Sequence, residues 1–143
     1  MANDANKREN FSRKRSAILK TLQSTDCHPT ADWVYVQLRE KYPNLSLGTV
    51  YRNLKKFCET NRAMSIGVIN GQEHFDGNVD DHSHIVCELC GSVSDIPEMF
   101  FNEEQLRLLS DEYGHQIGTA QVLFKGVCKC CQEQEESGIT KTA

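Results

Sequence analysis

Residues 28–57 read HPTADWVYVQLREKYPNLSLGTVYRNLKKF, and this stretch decides the fold. Thr30 can cap a helix over residues 31–42, with Trp33, Val34, Leu38 and Tyr42 turned towards a core. Pro43-Asn44 ends that helix. Ser46 then caps another, over residues 47–60, whose Val50, Leu54, Phe57 and Cys58 share one face. Upstream, residues 13–23 carry Ile18, Leu19 and Leu22 at helical spacing behind Ser12 as N-cap. Downstream, residues 63–69 and 72–75 are β-prone and flank Asn70-Gly71, a strong hairpin signal. Three helices followed by a hairpin make a winged helix-turn-helix. In that arrangement the third helix enters the major groove and the hairpin flanks it.

The polar run Gly77–Asp81 reads as a hinge. The expected layout is a winged-helix domain over 1–77, a hinge at 78–81 and a second domain over 82–143. In that second domain, residues 83–88 and 92–96 read as strands. Residues 102–113 read as a helix with Leu106 and Leu109 inward, and 116–127 as a long strand. The tail from Gln132 is expected to fray. A unit of this size is marginal on its core alone, so a metal or a partner copy would help it fold.

The formal net charge of -4 is an average of two unlike halves. Residues 1–60 hold 11 Lys/Arg against 6 Asp/Glu, a net of +5, and residues 61–143 hold 5 against 14, a net of -9. One half suits a polyanion and the other does not. The polar start MANDANKREN is not a secretory signal, and no apolar run approaches the ~20 residues of a membrane span, so a cytoplasmic protein with no membrane partner is expected.

Seven cysteines in such a chain read as metal ligands before disulfides. Cys87-x-x-Cys90 and Cys128-x-x-Cys131 are two knuckles, and in each the first and last thiolates can face one ion. Four thiolates suit tetrahedral Zn²⁺, a closed structural site with no open position. Disulfides or redox pairs are the alternative, and Cys130 competes with Cys131 by adjacency. Cys27 and Cys58 read as single thiols.

Asp76, His82, His84 and Asp95 cluster around the hinge, and His82 and His84 share one face of an extended strand. Mixed imidazole and carboxylate donors suit Fe²⁺, Mn²⁺ or Zn²⁺. His28, at the start of the second helix, could join them. A ligand from each domain would let the metal set the angle between them. His74 and His115 read as surface or core residues.

Residues 28–57, the run HFDGNVDDHSHIVCELCGSVSDI at 74–96 and GVCKCC at 126–131 together resemble the ferric-uptake-regulator family of bacterial, dimeric, metal-dependent transcription factors. The likeness covers roughly residues 10–132. It implies an α+β fold: an N-terminal winged helix-turn-helix domain, then a small α/β dimerisation domain with structural zinc. It places structural Zn²⁺ on Cys87, Cys90, Cys128 and Cys131, and a regulatory Fe²⁺ or Mn²⁺ on His28, Asp76, His82, His84 and Asp95. It gives the protein operator DNA as partner, contacted by Arg15, Ser46, Thr49, Tyr51, Arg52 and Asn53, and makes it a homodimer. Asp76 and Asp95 resemble the peroxide-sensing branch, where iron-sensing members more often carry glutamates. The implied function is a repressor that senses H₂O₂ through iron-catalysed oxidation of His28 or His82. Two departures stand out. Where the first-helix motif often reads Thr, Gln and Arg, the chain has Ser12-Arg13-Lys14-Arg15, and only Arg15 fits. Residues 118–121 (GTAQ) lack the histidine of a further metal site found in some members, so that site is expected to be absent.

Three other readings compete. One is an iron- or zinc-responsive repressor of the same family without peroxide chemistry. Another is a non-haem iron enzyme, because two histidines and a carboxylate with open positions make an enzyme pattern too. The third is a zinc-ribbon module that binds only protein. The short chain shows no general acid or substrate cleft, so no enzyme activity is expected.

Overall fold

The computed structural model describes residues 2–138. The chain divides into two compact units, Met1–Val79 and Asp80–Ala143.

The first unit is built from α1 (Ala2–Gln23), α2 (Ala31–Leu38), α3 (Leu47–Glu59), β1 (Met64–Ile69) and β2 (Gln72–Asp76). Thr30 and Ser46 cap α2 and α3, their side chains accepting from the backbone N–H of Trp33 and Thr49. Ile18 and Leu22 of α1, Val34 of α2, Val50, Leu54 and Phe57 of α3 and Phe75 of β2 are fully buried together. Each such side chain contributes ~1.5–3 kcal/mol of burial, which is what folds the three helices into one body. β1 and β2 pair antiparallel across Asn70 and Gly71, whose φ values of 52° and 80° are the left-handed pair a tight hairpin demands. This is a winged helix-turn-helix.

Several local expectations need correction. α1 begins at Ala2, so Ser12 lies inside a helix and caps nothing. Its early turns are polar and include a Glu9–Arg13 ion pair at 2.7 Å, so no apolar period marks them. α2 stops at Leu38, short of Tyr42, and Trp33 is exposed. Residues 39–42 leave the helix as a turn before Pro43, whose ring disfavours helical backbone at the residue before it.

The second unit holds β3 (Ser83–Cys87), β4 (Val93–Ile96), α4 (Glu103–Tyr113), β5 (Leu123–Gly126) and α5 (Lys129–Glu136). The sheet order is β4-β3-β5, with β3 antiparallel to β4 and parallel to β5. The parallel pairing needs a crossover, and α4 supplies it. Asn102 and Gln105 form a reciprocal capping box at its start, and Gly114 (φ 68°) closes its end.

The long strand expected over 116–127 is only four residues, because β5 has only β3 to pair with, and β3 is itself short. The tail expected to fray from Gln132 instead forms α5, whose Gln and Glu residues favour helix; residues 139–143 lie outside the described residues. Apolar burial is sparse here. α4 has no buried residue, Leu106 and Leu109 are half-buried, and Ile85, Phe100 and Phe124 are exposed.

Candidate metal and DNA sites

The parallel register sets the four-cysteine site. Cys87 ends β3 opposite Gly126 of β5, so Cys128 lies two residues past that pairing, at the N-cap of α5. Cys131 follows in the first turn of α5 and is buried. Cys90 is returned to Cys87 by a turn in which the Gly91 N–H donates to Cys87 O, with Gly91 at φ 75°. One sulfur from each of Cys87, Cys90, Cys128 and Cys131 lies within 4.8 Å of the other three. Cys90 Sγ and Cys128 Sγ are 3.8 Å apart. A zinc–sulfur length of ~2.3 Å in a tetrahedron requires about 3.8 Å between sulfurs, so the set fits Zn²⁺. Cys130 is exposed and outside the group, whereas Cys131 is buried within it.

The thiols are electrostatically prepared. Cys87 is pulled down to about 6, first by the Cys128 backbone N–H at 3.3 Å and then by that of Cys90. Cys90 is lowered chiefly by the Ser92 hydroxyl, 3.2 Å away. Cys131 is pushed up to about 12, first by hydrogen bonding to the Cys128 sulfur and then by burial. Two thiols favour thiolate and a third holds its proton. Zinc would displace that proton, as metal binding to cysteines generally does.

Of the histidines and aspartates, His28 and Asp76 belong to the first unit and His82, His84 and Asp95 to the second. In the first unit, β2 docks beside the segment before α2. His74 Nδ1 meets His28 O at 2.7 Å, and the Phe75 N–H donates to Pro29 O at 2.9 Å. These contacts carry Asp76 to His28, with Nε2 and Oδ2 3.3 Å apart and both residues buried. The Asn78 N–H donates to Asp76 Oδ1 at 2.9 Å and orients the carboxylate. His28 sits at φ 54°, a left-handed conformation that costs a non-glycine residue ~1 kcal/mol or more and clusters at functional sites. Sequence pattern did not reveal that strain. His74 thus positions His28 through its backbone.

In the second unit, His82 and His84 have ring centroids 4.4 Å apart. Asp95 pairs with His84 across β3 and β4, and its Oδ1 is 3.1 Å from both Nε2 atoms. His82 Nδ1 faces the Asp80 carbonyl, which can only accept. This contact favours the tautomer with the proton on Nδ1, the form in which Nε2 can direct a lone pair at a cation. Both imidazoles are buried. This donor set suits a borderline divalent metal. His115 is exposed and takes no part among the described residues.

The ferric uptake regulator family model matches residues 7–124. The chain belongs to the ferric uptake regulator family. It is a transcriptional regulator of that family, with the family's two-part fold and metal sites, and not an enzyme. It is 35% identical over 121 residues to the peroxide-responsive repressor PerR of Staphylococcus aureus, covering 85% of this chain and 81% of that protein. It is similar to the crystal structure of the Campylobacter jejuni peroxide stress regulator: 28% identity, TM-score 0.70, 92% of this chain and 98% of that one. The ferric uptake regulator of Helicobacter pylori shares the fold at 20% identity and TM-score 0.71, over 90% and 88% of the two chains.

The family's DNA-facing positions are unevenly placed. Ser46, Tyr51 and Arg52 are exposed and Thr49 is half-buried. Ser46 Oγ and Thr49 Oγ1 are 2.9 Å apart, and Arg52 Nη2 donates to Thr49 Oγ1 at 3.3 Å. Asn53 is buried, and its Nδ2 donates to Thr49 O at 2.8 Å, which ties its amide to α3. Arg15 is half-buried with its guanidinium 5.7 Å over the Phe57 ring. Among the described residues no helix is long and apolar enough to cross a membrane.

Proposed function

We propose that the protein is a homodimeric, metal-dependent, DNA-binding transcriptional repressor that senses hydrogen peroxide. The observation that carries this is Asp95 Oδ1 lying 3.1 Å from both His82 Nε2 and His84 Nε2, three donors converging from β4, β3 and the residue just before β3. One regulatory Fe²⁺ or Mn²⁺ takes these three, with His28 and Asp76 as the further ligands that the family resemblance implies. Bound iron supplies the redox chemistry that H₂O₂ triggers. The chain's part is to hold His28 or His82 close enough to be oxidised. An oxidised imidazole is a poorer ligand, and loss of the metal releases the operator. Short aspartates at 76 and 95, and the likeness to peroxide-responsive relatives, support this branch over an iron- or zinc-responsive one.

DNA is met by α3 through Ser46, Thr49, Tyr51 and Arg52, with Arg15 on α1 beside it. Asn53 serves by holding the helix. The partner copy is expected to cover the exposed Ile85, Phe100 and Phe124, since the second unit buries too little apolar surface to stand alone.

Intact mass after H₂O₂ treatment of the Fe²⁺-loaded protein tests the reading. Addition of one oxygen atom, localised to the peptide holding His28 or that holding His82, supports it. No oxygen on either peptide, with DNA binding unaffected, contradicts peroxide sensing and returns the protein to the iron- or zinc-responsive reading.

A further inference from the structure

A carboxylate on a DNA-reading face is costly, because it repels phosphate. Glu73, on β2 of the wing, is nevertheless built into the recognition helix's surface. Tyr51 Oη donates to its Oε2 at 2.9 Å and Ser65 Oγ donates to its Oε1 at 2.7 Å. Lys55 Nζ lies 3.6 Å from Oε1. The same lysine sits 5.7 Å over the Tyr51 ring, which packs T-shaped with Phe75 at a centroid distance of 6.5 Å. Tyr51 is thereby held at its hydroxyl by Glu73 and at its ring by Lys55 and Phe75. The Glu73 side chain is 16% exposed while Lys55 is 48% exposed. Burial disfavours charge on Glu73, but the hydroxyls of Ser65 and Tyr51 and the ammonium of Lys55 outweigh it and hold the carboxyl below its usual range.

We propose that Glu73 is a positioning and specificity-determining residue, which fixes Tyr51 for base reading and withholds Lys55 from the DNA backbone. This rests on the DNA-binding reading above. Two separable effects follow. The hydrogen bond to Tyr51 limits the conformations it can bring to a base edge. The charge on Glu73 neutralises a lysine that would otherwise attract any phosphate, so non-specific affinity is given up for discrimination.

The test uses the full chain loaded with zinc and Mn²⁺, and two duplexes: a site obtained by selection from random DNA, and a random-sequence duplex. Affinity is read by fluorescence anisotropy across a salt series. Glu73→Ala should bind the random duplex several-fold tighter, lower the selected-to-random ratio about tenfold, and steepen the salt slope by about one unit, as one added phosphate contact does. Glu73→Gln keeps one oxygen to accept from Tyr51 and turns its NH2 towards the Ser65 hydroxyl, which can accept, but it lacks the charge. It should keep most of the ratio and still steepen the slope. Tyr51→Phe should lose discrimination with the slope unchanged. A Glu73→Ala protein that weakens on both duplexes equally, or changes neither ratio nor slope, overturns the proposal. So does a Glu73→Gln protein with an unchanged slope. If the wild-type protein binds neither duplex, the DNA-binding reading itself fails.

Discussion

The sulfurs of Cys90 and Cys128 lie 3.8 Å apart although the two residues are 38 positions apart in the chain. That closure joins the turn after β3 to the start of α5, across the whole second unit. A sheet of three short strands and a helix with no buried residue cannot supply this closure by apolar burial. Metal binding is therefore folding energy here, on the scale of ~10–16 kcal/mol seen in small zinc domains.

Removing a ligand should be severe. Cys90→Ser is expected to lose zinc, unfold the second unit and dissociate the dimer. Zinc content by atomic emission, far-UV circular dichroism and sedimentation read the three effects. A stable, zinc-bound Cys90→Ser dimer would mean that the four-thiolate assignment is wrong.

Thiol reactivity should sort the remaining cysteines. Cys58 on α3 is half-buried and its thiol is pushed up to about 11, by burial first and by Glu73 next. Cys27 and Cys130 are exposed. In the zinc-loaded protein at pH 8, iodoacetamide should modify Cys27 and Cys130 first and Cys58 far more slowly. The Cys58 rate should climb steeply as pH approaches 11. Peptide mapping showing Cys58 alkylated as fast as Cys27 would contradict its placement.

Acid should weaken the first unit through Glu73. Its folded carboxyl titrates below the ordinary glutamate value of ~4.3, so between the two values the unfolded chain binds a proton that the folded chain does not. Its stabilisation is present above the ordinary value and is lost as pH falls through the lowered one. Urea unfolding followed from pH 6 to pH 3 should show stability declining with acid, and Glu73→Gln should flatten that decline. An equal decline in both proteins would sink this assignment.

The core of the first unit should behave as a packed body. Leu54→Ala removes a fully buried side chain from α3 and should cost about 2–5 kcal/mol of unfolding free energy. A loss under about 1 kcal/mol in denaturant melts would show that α3 is not held as described.

Legibility followed the physics of each signal. Thr30, Ser46 and Asn70-Gly71 are local: a cap or a positive φ is decided within four residues, so α2 and α3 could be started and the wing placed from sequence. The zinc ligands were legible because their spacing is itself geometric. Helix ends without an apolar period were not. α1 runs eleven residues further upstream than its periodic part, and residues 116–121 look strand-like but lie beyond the pairing with β3. At the sites, residue type marked His28, Asp76, His82, His84 and Asp95. No pattern marked the left-handed backbone of His28, the inward turn of Asn53 or the grip of Glu73 on Tyr51.

The central claim is that metal licenses DNA binding and peroxide withdraws it. Its most direct test is anisotropy of a selected duplex titrated with zinc-loaded protein in four states: without regulatory metal, with Mn²⁺, with Fe²⁺, and with Fe²⁺ after H₂O₂. Tight binding is expected only with Mn²⁺ or with unoxidised Fe²⁺. It should fall at least tenfold in the apo and peroxide-treated states and weaken with salt throughout. Equal affinity in all four states would contradict the account.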